Sequence, residues 1–289
     1  SYFQTFYLNT NLPNLENKNG FYFPKGYGAI SGFSYKYQND IFFISLNPNI
    51  INQRVYNVQL PNKNFSFSVL NDVPKKSYYS GLRLVNSGVK IKIPAFYLGF
   101  GNWNHWWGPG IHNSLVLSNN SEGFKHILIE NPYYVNITKN LKYKLKYIVS
   151  ERIQNKLHNS FYFTGLFINL KIKNIELGFS KNILSGGYDN IDWGGVDPYF
   201  VPITNKKIKY WDYIQDYYIL AHFPNSKLDI FIEFGFPNRV INNTNNNEYS
   251  EHALGSNLGI RKNSAFGIDN ILFGLEYTRL VQSIYYNIL

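Results

Sequence analysis

The sequence predicts an all-β protein, and the architecture expected of it is an antiparallel transmembrane β-barrel of about 12–18 strands. Three observations lead to the all-β class. Apolar and polar residues alternate in one short segment after another, which is the period-two signature of strands. Aromatic residues make up 18% of the 289 positions, with 25 Tyr and 23 Phe, and such side chains suit a pleated sheet better than a helix. The longest wholly apolar runs are short, as in IFFI at 41–44, far below the roughly 18–20 residues that a membrane-spanning helix needs. A single barrel domain is expected over 1–289.

In chain order the alternating segments are 29–37, 41–47, 65–70, 78–85, 89–98, 141–149, 161–168, 174–180, 217–223, 227–236, 254–261 and 270–277. Asn, Gly, Pro or Lys turns bound them. The stretch 171–181 illustrates the pattern: Ile175, Leu177 and Phe179 point one way, Asn174, Glu176, Gly178 and Ser180 the other. A barrel wall in lipid needs such a pattern, apolar outside and polar inside, with its strand edges closed. A soluble sheet with one solvated face alternates in the same way, so periodicity alone leaves both readings open.

Composition narrows the function classes. There are 28 Lys plus Arg against 18 Asp plus Glu, for a formal charge of +10, and about 40 Asn. A basic balance suits a phosphate backbone. Here, however, the cations are spread thinly, with the densest groups at 139–146 and 206–209, and no nucleic-acid partner is expected. Basic turns, or attraction to an anionic membrane surface, account for the charge. The absence of Cys excludes disulfide scaffolds, Cys-ligated metal sites and thiol nucleophiles. The absence of Met predicts that the chain is a piece of a longer translation product, so its start carries no information about a leader.

Two stretches, 99–112 and 185–212, are long enough to be real loops or plug elements, and 238–250 reads as a polar surface loop. The first contains GFGNWNHWWGPG over 99–110. Trp103, Trp106 and Trp107 offer flat apolar faces for the CH surface of a sugar, while Asn102, Asn104 and His105 can hydrogen-bond hydroxyls. The glycan-binding candidates are therefore Trp103, Asn104, His105, Trp106 and Trp107. The same residues could instead anchor an inward loop or join an interfacial aromatic belt. The Gly-Pro-Gly element is a turn and lacks the Lys-Ser/Thr pair of a phosphate loop. In the second stretch Asp189, Asp192, Trp193 and Asp197 are candidates for a hydrogen-bonded plug network.

No metal or cofactor is expected. Asp189, Asp192 and Asp197 lack EF-hand spacing, and the six His are scattered, with only His105 and His112 within seven positions. Glu233 or Glu248 could pair with an Asp as a glycosidase acid and base, but no local pattern fixes their separation. There is no GxSxG elbow, and Ser114 and Ser118 have no assignable His and Asp partners. The protein is expected not to be an enzyme.

WWGPGIHNSLVLSNNSEGF at 106–124, preceded by GLRL at 81–84, resembles the WWGPG and SLLLSNNA region of the Wzi-type capsule assembly proteins of the bacterial outer membrane. FTGLFINLKIKNIELGFSKNILSGG at 163–187 resembles their ELGLS-like strand pair, and ILFGLEYTR at 271–279 a late strand. The resemblance implies an 18-stranded outer-membrane barrel with a periplasm-facing helical part. It also implies binding of capsular or extracellular polysaccharide at the cell surface, contact with outer-membrane lipid, and no catalysis. A barrel subunit of an outer-membrane secretion or adhesion complex, binding protein rather than glycan, is the alternative expectation.

Overall fold

The computed structural model describes residues 1–10, 21, 23–56, 78–119, 123–131, 133–150, 161–186, 212–237, 255–264 and 268–280. The first half of that chain forms β1 (Tyr2–Asn9), β2 (Gly26–Phe33), β3 (Tyr35–Gln38), β4 (Phe42–Leu46), β5 (Pro48–Val55), β6 (Tyr78–Leu84), β7 (Gly88–Ile93), β8 (Phe96–Gly101) and β9 (His126–Glu130). The second half forms β10 (Val135–Asn136), β11 (Leu141–Ser150), β12 (Phe161–Ile172), β13 (Ile175–Gly186), β14 (Asp212–Phe223), β15 (Leu228–Pro237), β16 (Gly255–Asn263) and β17 (Leu272–Leu280). One 3-10 turn, Pro224–Ser226, joins β14 to β15. Among the described residues no helix is long and apolar enough to cross a membrane.

All strand pairs are antiparallel. A four-stranded sheet, β1-β2-β5-β6, adjoins a thirteen-stranded one that runs from β3 and β4 through β7, β8, β9 and β11 to β17, with β10 added on β11. The two sheets share three long strands. β2 continues into β3 past Ser34, β4 into β5 past Asn47, and β6 into β7 past Val85, Asn86 and Ser87. The Val85 N–H still donates to the Asn47 carbonyl at 3.0 Å across the break. Asn86, at φ 50°, absorbs an extra residue, so the face bearing Arg83 continues at Gly88, the shift in register that a bulge produces. The result is one antiparallel meander with β1 and β17 at its edges, both running in the same direction.

Its two ends differ. The short connections 39–41, 94–95, 173–174 and 224–227 lie at one end, whereas β8, β11, β13 and β15 end, and β9, β12, β14 and β16 begin, at the other. Lys173 at φ 51° turns β12 back into β13 within two residues.

Burial is inverted relative to a soluble sheet. Ile175, Leu177, Tyr217, Ile219, Leu258 and Ile260 are exposed, while Ser180, Asp216, Glu233 and Asn257 on the opposite face are at most 1% exposed. The 171–181 alternation thus has its apolar side outward and its wet side inward. In water this arrangement would forgo the main driving force of folding. It is favourable where the surround is itself apolar.

Several boundaries differ from the sequence expectation. Residues 89–98 form a hairpin, because Pro94 and Ala95 turn β7 into β8, and the alternation runs through the turn unbroken. Gly99, Phe100 and Gly101 belong to β8, so the first long connection begins at Asn102. Ser185 and Gly186 end β13 and Asp212 begins β14. The remainder of that stretch, with Asp189, Asp192, Trp193 and Asp197, lies outside the described residues, as do the expected strand 65–70 and the loop 238–250. β1, β5, β9 and the two-residue β10 form strands without having been expected.

Candidate functional site

The connection from β8 to β9 is a strap laid over the polar face. β8 and β9 are themselves paired, Gly101 opposite His126, so the strap leaves and re-enters the sheet at one place and lies across it in between. Burial alternates strictly from the end of β8 into the strap. Gly101, Trp103, His105, Trp107 and Pro109 are buried, and Asn102, Asn104, Trp106, Gly108 and Gly110 are half-buried.

The odd-numbered side chains hold the strap to the sheet. Trp103 donates its indole N–H to the Ser45 hydroxyl at 2.9 Å, and the Lys90 ammonium sits 4.7 Å from its ring centroid. Trp107 is 0% exposed and packs on Phe167, with centroids 5.6 Å apart. Gly165 makes room for it, since a Cβ there would collide with the indole. Trp103, Trp107, Leu128, Ile148, Phe167, Tyr218, Leu220 and Phe231 form the buried apolar cluster, with Ile111, Leu117 and Phe124 of the strap packed against it. A buried Trp removes about 150–250 Å² from water, on the order of 4–6 kcal/mol at 25 cal/mol/Å².

His105 and His126 face each other through their Nε2 atoms at 2.8 Å. His126 Nδ1 lies 2.8 Å from the Phe124 carbonyl, which only an N–H can satisfy. In its neutral form His126 Nε2 is therefore the acceptor, and His105 donates from Nε2. Burial, then the nearby His126, Lys146 and Lys90, hold the His105 pKa well below the usual imidazole value.

Beyond Pro109 the strap is held by carboxylates on distant strands. Glu276 of β17 accepts the backbone N–H groups of Ile111 at 2.5 Å, His112 at 3.1 Å and Asn113 at 2.9 Å. Asn113 donates to the Thr278 hydroxyl at 3.0 Å, and Asn257 donates to the Asn113 carbonyl at 3.3 Å. Glu233 of β15 accepts the Leu115 N–H at 3.4 Å and lies against Gly108, whose φ of +138° and lack of a Cβ the approach requires. Trp107 and Leu117 close the strap on itself in a single bridge, and Ser114 donates to the Trp107 carbonyl.

Asn104 and Trp106 are the expected glycan contacts that keep exposed surface. The Trp106 indole N–H is occupied by the Gly110 carbonyl at 3.1 Å, which fixes the ring and leaves its face as the available surface. Trp103, His105 and Trp107 are turned to the sheet and have no comparable surface. Glu233, considered above as a glycosidase acid, does come near a second carboxylate, Asp216. Both are sealed beneath the strap, at 0% and 1% exposed, and Glu248 lies outside the described residues. Among the described residues there is no group of three or more His, Cys, Asp or Glu able to hold a metal ion. Sequence reasoning missed Glu276, Asn257 and Thr278. Their signal was a polar residue on the wet register of a late strand.

Sheet and strap together define a class: an antiparallel β protein whose outward face is apolar and exposed, and whose inner face buries polar side chains beside the apolar cluster that holds the strap. Residues 10–197 match the family of capsule assembly protein Wzi, and the chain belongs to that family. Among solved structures it is similar to Wzi of Escherichia coli, described as an outer-membrane protein involved in group 1 capsule assembly and as a carbohydrate-binding β-barrel. The two are 13% identical with a TM-score of 0.49, over 97% of this chain and 69% of that one. It is also similar to OmpT, an outer-membrane protein of Vibrio cholerae in trimer form, at 10% identity and a TM-score of 0.33, over 97% and 89% of the two chains. No curated protein matches in sequence.

Proposed function

We propose that the protein is a non-enzymatic β-barrel of the bacterial outer membrane that binds capsular or extracellular polysaccharide at the cell surface. The inverted burial supports the barrel, because apolar strands with open edges are not tolerated in hydrocarbon. Since β1 and β17 run in the same direction, a direct seam between them would be a parallel pair. The long-connection end, where the strap enters, is the end that faces the cell exterior in such barrels.

The observation that carries the binding role is the alternation along the strap. It devotes Trp103, His105 and Trp107 to anchoring and presents Trp106 and Asn104 on a rigid support, a flat ring beside an amide. Aromatic faces and amides on fixed elements suit saccharide recognition.

The test is binding of the detergent-folded protein to capsule and exopolysaccharide purified from its own organism. Saturable binding that falls at least tenfold in Trp106→Ala, with the barrel intact by heat-modifiable gel mobility, supports the reading. No binding by the intact protein overturns it and moves the role to a protein partner.

A further inference from the structure

Every acidic side chain described on the polar face has a partner. Glu130 holds Lys90 at 2.6 Å and Lys146 at 3.7 Å. Glu176 holds Lys171 at 2.7 Å and also accepts from the Tyr134 hydroxyl. Asp229 holds Arg261 at 2.8 Å, Asp216 accepts from Ser180, and Glu233 and Glu276 hold the strap.

The lysines outnumber these partners. Lys142, Lys144 and Lys146 alternate along β11, with outward-facing Tyr143 and Leu145 between them, so all three ammonium groups share the polar face with Glu130 and Asn169. Lys142 stands directly opposite Lys171, and Lys144 opposite Asn169. Lys92 shares the face of Lys90 on β7. Among the described residues no carboxylate pairs with Lys92, Lys142 or Lys144. Like charges placed opposite each other in a sheet are unfavourable on their own.

Lys171, opposite Lys142 at the foot of the ladder, borders a cleft of about 590 Å³ at the short-turn end, which Lys173, His222 and Lys227 also line. The acid there, Asp229, is already taken by Arg261 and His222.

We infer that this lysine ladder binds a polyanionic saccharide, one whose carboxylates repeat along the chain. Successive ladder positions lie about 7 Å apart, two residues along a strand, so neighbouring carboxylates of a uronic acid oligomer can engage successive ammonium groups. The strap and the ladder occupy different parts of the polar face: acids hold the strap on β15 and β17, and the unpaired cations lie on β7 and β11. This inference rests on the polysaccharide reading above and deepens it by naming the charge class of the ligand and a second contact region, at the short-turn end of the sheet and so opposite the surface-facing end where the strap enters.

The test uses the full chain folded in detergent and measures binding of tetragalacturonate, of uncharged maltotetraose and of phosphatidylglycerol nanodiscs. The expected result is saturable tetragalacturonate binding that weakens at least tenfold between 50 and 300 mM salt (order-of-magnitude expectation for about two or three contacts). Maltotetraose should not bind. The double variant Lys142→Gln/Lys144→Gln should lose at least tenfold in tetragalacturonate affinity while keeping heat-modifiable mobility and the tryptophan emission of the strap. Unchanged affinity in the folded double variant overturns the inference, and so does ladder-dependent binding of the nanodiscs but not of the uronate. Loss of capsule binding in Trp106→Ala with the ladder variant unaffected keeps the surface-binding role and removes only the ladder. Ladder-dependent uronate binding without any capsule binding keeps the ladder and removes the surface role.

Discussion

Glu276 accepts the backbone N–H of Asn113 at 2.9 Å, across 163 positions of sequence. The same carboxylate takes the N–H groups of Ile111 and His112, so one side chain on the last described strand fixes the far limb of the strap. A charge-assisted hydrogen bond contributes about 1.5–3 kcal/mol, and three backbone donors lose their acceptor together if it is removed. Glu276→Ala is therefore expected to free residues 110–115 while leaving the wall intact. Limited proteolysis of the folded protein should show new cleavage near these positions, with heat-modifiable mobility retained. An unchanged cleavage pattern would show that Trp107, Glu233, Asn257 and Thr278 hold the strap without Glu276.

The two neighbouring tryptophans should behave in opposite ways. Trp107 is fully buried against Phe167 and fills the space that Gly165 leaves open, so Trp107→Ala should cost about 3–5 kcal/mol of stability in the strap and the sheet beneath it. Trp106, on the other side of the strap, holds only Gly110 through its indole, and its truncation should cost roughly 1 kcal/mol. Urea denaturation of the two variants side by side measures the difference. Equal losses would mean that the alternation along the strap does not divide anchoring from presentation.

Much of this division was legible in sequence, and some of it was not. The period-two pattern located β11 to β17 because each is a single strand bordered by a turn residue. It failed at 89–98, where Pro94 and Ala95 turn the chain without breaking the alternation. It also failed for β9 and β5, which are short or joined through Asn47 to another strand. The WWGPG stretch announced itself by composition, yet the sequence could not say which of its five candidates face outward, because a loop has no periodicity to trust until its support is known. Glu276 and Glu233 were invisible as anchors for a different reason: their partners are backbone N–H groups more than a hundred positions away, and backbone donors leave no mark in a sequence. Lys142, Lys144 and Lys146 stood out only as part of the denser basic group at 139–146, and became one surface only when β11 fixed their common face.

The His105–His126 contact predicts a loss of strap stability in acid. The folded pKa of His105 is depressed, mainly by burial, so when the strap is released the imidazole regains its ordinary pKa near 6.5. Above that pH both states are neutral and the stabilisation is fully present. As pH falls below about 6.5 only the released state takes up the proton, and stability drops by up to about 1.4 kcal/mol per pH unit for this one group until the folded pKa is reached. A second proton would also set two N–H groups against each other across 2.8 Å. Tryptophan emission of the detergent-folded protein, followed from pH 7.5 to 5, should shift to the red, and His105→Gln should flatten the response. A shift of equal size in His105→Gln would assign the acid sensitivity to other groups.

The outward apolar face distinguishes a membrane wall from a soluble sheet by a single substitution. Ile219 is 50% exposed and sits midway along β14, flanked on its own face by Leu177 of β13 and Ile232 of β15. On a soluble protein an exposed Ile→Arg change is usually within about 0.5 kcal/mol of neutral, because the side chain already meets water. In a lipid-facing position near the bilayer midplane the same change costs about 2–4 kcal/mol, since the guanidinium must be desolvated or the bilayer deformed around it. Ile219→Arg should therefore lower the stability of the protein folded into lipid vesicles by that amount, whereas Lys144→Ala, on the polar face of β11, should change it far less. Urea titrations in vesicles give both numbers. A neutral Ile219→Arg would place this face in water and remove the barrel.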